Sequence, residues 1–288
     1  MKGMNDNMRK FFTKIMLCAS LAGALAFTGC GSKDTKKDET TTTASGGAVQ
    51  DESLQKVKDS GKFILGLDAT FKPMGYTDEK DEIVGFDIDV AEEVCKRMGV
   101  ELVKEPINWD TKEEDLNVGK IDCIWNGMSI NESRQKSMNL SEAYMENEMV
   151  FVVTGDSKDA TMEDLANKNI AVQNGSSAQE ILEASELGTT ATITPIATNV
   201  EALQQLELGI VDAVFLDSVV ANYEITTAQK NYKVLEEGLE KEEYAIGFRK
   251  ADQALRDEVQ KILGEMKADG KLGEISTKWF GSDITTVK

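Results

Sequence analysis

Histidine is absent from this 288-residue sequence. The commonest general base and the commonest metal ligand are therefore missing. Positive charge is short as well: 32 Lys and Arg face 51 Asp and Glu, for a net charge of −19. A chain of that sign lacks the basic patches that hold phosphate backbones, so no nucleic-acid partner is expected. No G-x-S-x-G elbow and no phosphate loop occurs, which lowers the expectation of an enzyme. Cysteine is sparse, and none of the four stands in C-x-x-C or another metal-binding spacing. Neither a metal, a cofactor nor a catalytic residue is expected. What the chain does have is a hydrophobic fraction of 41%, enough for a proper core. Its length exceeds one average domain, so two lobes are expected.

Residues 1–29 read as a targeting segment outside the fold. Lys2, Arg9, Lys10 and Lys14 precede an apolar stretch at 15–27 that is short for a bilayer span. Phe27-Thr28-Gly29-Cys30-Gly31 then places small residues before a cysteine, similar to the lipobox of bacterial lipoproteins. Cleavage there would leave Cys30 as the lipidation site. Phe27 departs from the usual Leu, and an ordinary signal peptide with a chance cysteine is the plainer alternative. Residues 30–52 are polar and of low complexity; they read as a disordered leash between anchor and body. Cys95 and Cys123 read as buried free thiols, with a disulfide between them left open.

Strand and helix alternate along the body. Phe63-Ile64-Leu65-Gly66-Leu67 predicts a strand ending at Asp68. Asp87 is expected to cap a helix whose apolar face is Ala91, Val94, Cys95 and Met98, stopped by Gly99. A strand begins at Val100, and a helical stretch around Leu116 leads through Gly119 to a strand at 121–125. Strands at 150–153 and 170–173 follow, the second running into Asn174-Gly175-Ser176-Ser177, where Ser177 and Glu180 match a capping box. Val200, Leu203 and Leu206 mark a helix ended by Gly209, and a strand at 213–216 ends at Asp217. A late strand is expected at 244–248, then a long helix with Leu255, Val259, Ile262, Leu263 and Met266 on one face, closed by Gly270. This alternation predicts parallel sheets covered on both faces.

One unit occurs twice. Residues 116–127 and 206–217 share a helix end, a glycine, an apolar residue, an aspartate, an apolar strand and a polar loop. Each half thus presents polar loops at the carboxyl ends of parallel strands, where open α/β sheets bind ligands. Two such halves facing each other enclose a cleft. In the first copy the strand breaks at Gly127, where backbone can approach a ligand. Ser129 then offers a hydroxyl and an N–H, and Arg134 a planar fork that fits a carboxylate. Donors for a carboxylate and acceptors for an ammonium leave one strand end, as an α-amino acid requires. Taken alone, the segment reads as well as a core strand, a surface turn and a solvated arginine.

In their order, these segments resemble solute-binding protein family 3, the polar amino-acid receptors of bacterial ABC importers. The resemblance rests on Gly61-Lys62-Phe63-Ile64-Leu65-Gly66-Leu67-Asp68, Gly85-Phe86-Asp87-Ile88-Asp89, Gly119-Lys120-Ile121-Asp122, Gly127-Met128-Ser129-Ile130 with Arg134, Gly175-Ser176-Ser177, Val211-Asp212-Ala213-Val214 and Lys278-Trp279-Phe280-Gly281. It implies an α/β fold of two lobes, the type II periplasmic-binding-protein architecture with two hinge strands, crossing near 151–153 and 245–248. Lobe 1 would comprise 53–150 plus 247–288, and lobe 2 151–246.

The implied partners are a polar amino acid (glutamine, cystine or a basic amino acid), an ABC permease with its ATPase, and the membrane through a lipid anchor. The resemblance further implies a monomer on the outer face of the cytoplasmic membrane, closing on its ligand by a population shift. By position, Arg134 would hold the α-carboxylate, with the N–H groups of Ser129 and Ser177. Asp217, the Ser129 hydroxyl and the Gly127 carbonyl would take the ammonium. Phe71 and Trp109 would border the ligand's side chain, with core packing as their alternative. Asp68 would reach its far end, or cap the turn at 68–70. Trp125 reads as strand packing. The rival readings are a same-fold enzyme, for example a dehydratase of a small carboxylate, and a sensor subunit that presents an amino acid to a signalling partner. A receptor for import is the reading these residues favour.

Overall fold

The computed structural model describes residues 51–288; the leader at 1–29, Cys30 and the polar stretch up to 50 lie outside the described residues. The body opens with α1 (Ser53–Ser60), β1 (Lys62–Leu67), β2 (Thr70–Phe71), β3 (Gly75–Thr77), β4 (Ile83–Val84), α2 (Phe86–Met98) and β5 (Glu101–Pro106). A 3-10 turn at Trp109–Thr111 leads to α3 (Lys112–Asn117), β6 (Cys123–Ile124), α4 (Glu132–Ser137) and β7 (Met138–Leu140). The chain then builds β8 (Met145–Thr154), β9 (Asn169–Gln173), α5 (Ser177–Ala184), β10 (Thr192–Ile196), α6 (Asn199–Glu207), β11 (Ala213–Asp217), α7 (Ser218–Thr226), β12 (Tyr232–Val234) and β13 (Glu240–Tyr244). It ends in β14 (Gly247–Arg249), α8 (Gln253–Ala268) and α9 (Lys271–Phe280).

Two sheets form the two lobes. The first has the order β5-β1-β6-β14-β7 and the second β10-β9-β11-β8-β12, with β13 beside β8. Within each, three neighbouring strands are parallel, as alternation predicts: β5, β1 and β6 in the first, β10, β9 and β11 in the second. The remaining strands are antiparallel, so the sheets are mixed and not wholly parallel. The reason is the route of the chain. It leaves the first sheet through 141–144 and returns through 245–246, so the strand that follows each crossing, β8 and then β14, runs against the parallel triplet of its sheet. The strand expected at 244–248 is accordingly split between β13 and β14.

Burial follows the predicted faces. Phe63, Leu65 and Leu67 of β1 share a core cluster with Ala91, Val94 and Cys95 of α2 and with Leu255, Val259, Ile262, Leu263 and Met266 of α8. In the second sheet Phe151 and Phe215 pack ring to ring at 4.4 Å over Ile170, Val172 and Leu182. Each such side chain contributes about 1.5–3 kcal/mol by leaving water. Cys95 and Cys123 are buried and unpaired.

The repeated unit has one job in both copies. Asp122 accepts the Ile64 N–H at 2.9 Å, and Asp212 accepts the Asn169 N–H at 2.8 Å. Each aspartate thus fastens its own strand to the first parallel strand of its sheet. Two helix starts differ from expectation. Gly85, not Asp87, is the N-cap of α2, and Asp87 instead turns inward, accepting from Gly127 N–H at 2.8 Å and Tyr144 Oη at 3.0 Å. Ser176, not Ser177, caps α5 by accepting from Gln179 N–H at 3.2 Å. The one-residue shift leaves the Ser177 hydroxyl free for another partner.

Gly85 has φ +147°, and a Cβ there would collide with the Met74 carbonyl. Gly85→Ala is expected to destabilise the protein by more than about 2 kcal/mol, since both the backbone region and the space suit glycine alone. Urea titration checks this; an unchanged midpoint would contradict the packing described.

Candidate functional site

Four strand ends and the turn after β5 meet between the sheets. Phe71, Trp109, Gly127, Ser129, Arg134, Ser177 and Asp217 border one cavity there, joined by Asn126, Met149, Gln173 and Ser176. Asp68 stands one layer back: its Oδ1 accepts from Thr70 N–H at 3.0 Å and Thr70 Oγ1 at 2.7 Å, and its Oδ2 accepts from Gln173 Nε2 at 2.6 Å. It therefore caps its own turn and also reaches across the cavity's edge. Trp125 is wholly buried and packs 6.3 Å from Tyr144, away from the cavity.

Arg134 lies on α4, whose N-cap Asn131 accepts the Arg134 N–H at 2.8 Å. The side chain is 3% exposed. Its Nη1 donates to the Ser129 carbonyl at 2.7 Å and to Ser177 Oγ at 2.9 Å, one on each side of the cleft. Among the described residues no carboxylate lies within ion-pair distance of it. Burial pulls its pKa below the usual guanidinium value, with nearby acids opposing that fall. Taking a charge out of water without a counter-ion is expensive, so this guanidinium is set to receive an anion.

Acid groups gather opposite. Asp217 Oδ1 accepts from Tyr244 Oη at 2.6 Å and Asn147 Nδ2 at 2.9 Å. Burial lifts its pKa to about 6, against the pull of those bonds. Glu242 Oε2 accepts from Ser129 Oγ at 2.9 Å and Asn147 Nδ2 at 3.4 Å. Burial, then the neighbouring Asp217, lifts it to about 7. The Ser129 hydroxyl is thereby turned with its proton toward Glu242, leaving its lone pairs for a donor in the cavity. Gly127, at φ +57°, lets the backbone pass close to Phe71, where a Cβ would come within 2.9 Å of the ring. Its N–H is held by Asp87 underneath, whose carboxyl burial lifts to about 7. A small zwitterion fits these two ends: anion donors at one, acceptors at the other.

Sequence reasoning missed Asn126, Asn147 and Glu242. Glu240-Lys241-Glu242-Glu243-Tyr244 looks like a solvated charge run. The signal was its period of two: Glu242 shares a face with Tyr244, and β13 sets Glu242 directly across from Asn147 of β8. Among the described residues no group of Cys, Asp and Glu is placed to hold a metal ion. Nor is any helix there long and apolar enough to cross a membrane.

Comparison with known proteins agrees with the geometry. The sequence profile of the bacterial extracellular solute-binding proteins, family 3, matches residues 63–282. The L-cystine-binding protein TcyA of Bacillus subtilis is 30% identical over 96% of this chain and 100% of its own length. Among solved structures, Tv2483 bound to L-arginine superposes with a TM-score of 0.79 at 32% identity, covering 83% of this chain and 98% of that one. An ABC uptake transporter substrate-binding protein from Streptococcus pneumoniae with bound histidine gives 0.77 at 35% identity, covering 82% and 98%.

The raised carboxyls set a pH dependence. Asp87, Asp217 and Glu242 hold protons up to about 7, 6 and 7, whereas free carboxyls release them near about 4. Between those values the native chain binds more protons than the unfolded chain, so stability falls as pH rises. The ligand-free melting temperature is expected to drop between pH 5 and about pH 7.5, and Glu242→Gln to flatten that slope. A melting temperature rising through this window would refute the assignment.

Proposed function

The chain belongs to the bacterial extracellular solute-binding proteins, family 3, and on that premise we propose that it captures a polar amino acid between its lobes and delivers it to an ABC importer's permease. The observation that carries this reading is the buried Arg134, without a counter-ion among the described residues, bordering one cavity with Asp217, while Glu242 holds the Ser129 hydroxyl from behind. The α-carboxylate sits on Arg134 and on the N–H groups of Ser129 and Ser177. The ammonium sits on Asp217, the Ser129 hydroxyl and the Gly127 carbonyl, with Glu242 orienting that hydroxyl. Phe71 and Trp109 flank the ligand's side chain, and Asp68 with Gln173 meets its far end. Charged hydrogen bonds contribute roughly 1.5–3 kcal/mol each, which suits binding near micromolar, about −8 kcal/mol.

TcyA is named an L-cystine-binding protein, and the two solved structures hold L-arginine and histidine, which favours a receptor over an enzyme here. Glutamine, cystine and the basic amino acids form the ligand class that a zwitterion clamp with polar walls accommodates. Removal of the leader before Cys30, and lipidation of that cysteine, would keep the receptor on the outer face of the cytoplasmic membrane.

A thermal-shift panel of the amino acids plus cystine, on the full chain, tests the proposal. The cognate ligand at a hundred times its Kd is expected to add about 2.7 kcal/mol of stability. In calorimetry, Arg134→Ala should weaken binding by on the order of 2–5 kcal/mol. A panel without any shift, or native affinity in that variant, would sink the reading.

A further inference from the structure

Lys112, the first residue of α3, is only 5% exposed, a rare state for a lysine with no acid to pair with. Its Nζ donates to the Trp109 carbonyl at 3.1 Å and stands 5.1 Å from the centre of the Trp109 ring. The same Nζ donates to the Gly175 carbonyl at 2.9 Å. Trp109 and Lys112 belong to the first sheet's side, and Gly175 to the turn between β9 and α5 of the second, so this ammonium crosses the cleft.

The turn is shaped for that approach. Gly175 has φ +69°, and a Cβ on it would stand 2.8 Å from Asp110 Cα; only glycine lets the two backbones come so close. Burial, then the charge of Arg134, pushes the Lys112 pKa down to about 8, with Glu113, Glu180 and Asp110 opposing the fall. The group is therefore charged at neutral pH, but among the described residues no anion lies at contact distance. A carboxylate seated on Arg134 would supply negative charge to both cations. Lys112 does not border the cavity, so direct contact with a ligand does not account for its burial.

Resting on the amino-acid-capture reading above, we propose that Lys112 is a positioning residue that latches the closed lobes together. It holds the β9–α5 turn against the Trp109 turn after the ligand has entered, and so sets how long the ligand stays. A latch made only on closure acts on dissociation and leaves diffusional entry nearly unchanged.

Stopped-flow tryptophan fluorescence on the full chain tests this, using L-arginine, L-glutamine, L-histidine and L-cystine in turn. For whichever of them binds, Lys112→Met is expected to speed dissociation about tenfold and to alter association by less than about twofold. Gly175→Ala, which wedges the same contact, should act in the same direction. Amide exchange at 173–180 should quicken in the bound state of both variants. The ligand-free melting temperature, measured alongside, reports any merely structural damage. Unchanged dissociation in both variants, with binding intact, overturns the latch alone. Failure of the unaltered chain to bind any amino acid overturns the capture reading and the latch with it.

Discussion

A guanidinium withdrawn from water, with no counter-ion among the described residues, is the constraint around which this molecule is organised. Arg134 is held there by neighbours that are all neutral: the Ser129 carbonyl, the Ser177 hydroxyl and the Asn131 cap of its helix. None of them cancels its charge. The opposite wall carries the complementary debt, two carboxyls that share the Asn147 amide and cling to protons because ionisation there is costly. Either wall alone would be a stability defect. Together they set anion donors and hydrogen-bond acceptors against each other, the pattern the proposed zwitterion would match.

Bonds that span the cleft converge on a short piece of the second sheet's side. Gln173, Gly175, Ser177 and Glu180 meet Asp68, Lys112, Arg134 and Asn131 respectively. All four of these bonds are neutral on one side, so none requires burying a matched ion pair, whose desolvation can exceed its attraction. Elsewhere on the rim the contact is aromatic: Tyr76 of β3 and Tyr223 of α7 approach to 6.3 Å, with Lys72 above both rings. Weak, separable contacts of this kind suit surfaces that must part again.

Much of this was legible in the chain itself. The doubled helix–glycine–aspartate–strand unit marked both parallel triplets, and the stretch from Gly127 to Arg134 supplies three of the residues that border the cavity. Those signals are local: each depends on residues a few positions apart. What escaped was nonlocal or carried by alternation inside a polar run. Glu242 and Asn147 face each other only because β13 lies beside β8, across a long sequence separation. Nothing local in the sequence singles out Lys112, and only the arrival of Gly175 from the other lobe explains its burial. Asp87 and Ser177 were assigned as caps from residue type; neighbours one or two positions earlier took that task, and both side chains were turned to the interior.

The route of the backbone has a consequence for manufacture. All strands of the second sheet come from one unbroken stretch of chain, β8 through β13. The first sheet, by contrast, keeps the exposed edge of β6 open until β14 arrives from beyond that stretch, and α8 and α9 follow later still. On a ribosome the later-encoded half can therefore assemble ahead of the earlier one. The half bearing Arg134 waits longest with an unpaired edge, the stage at which a nascent or exported chain is most exposed to wrong pairing.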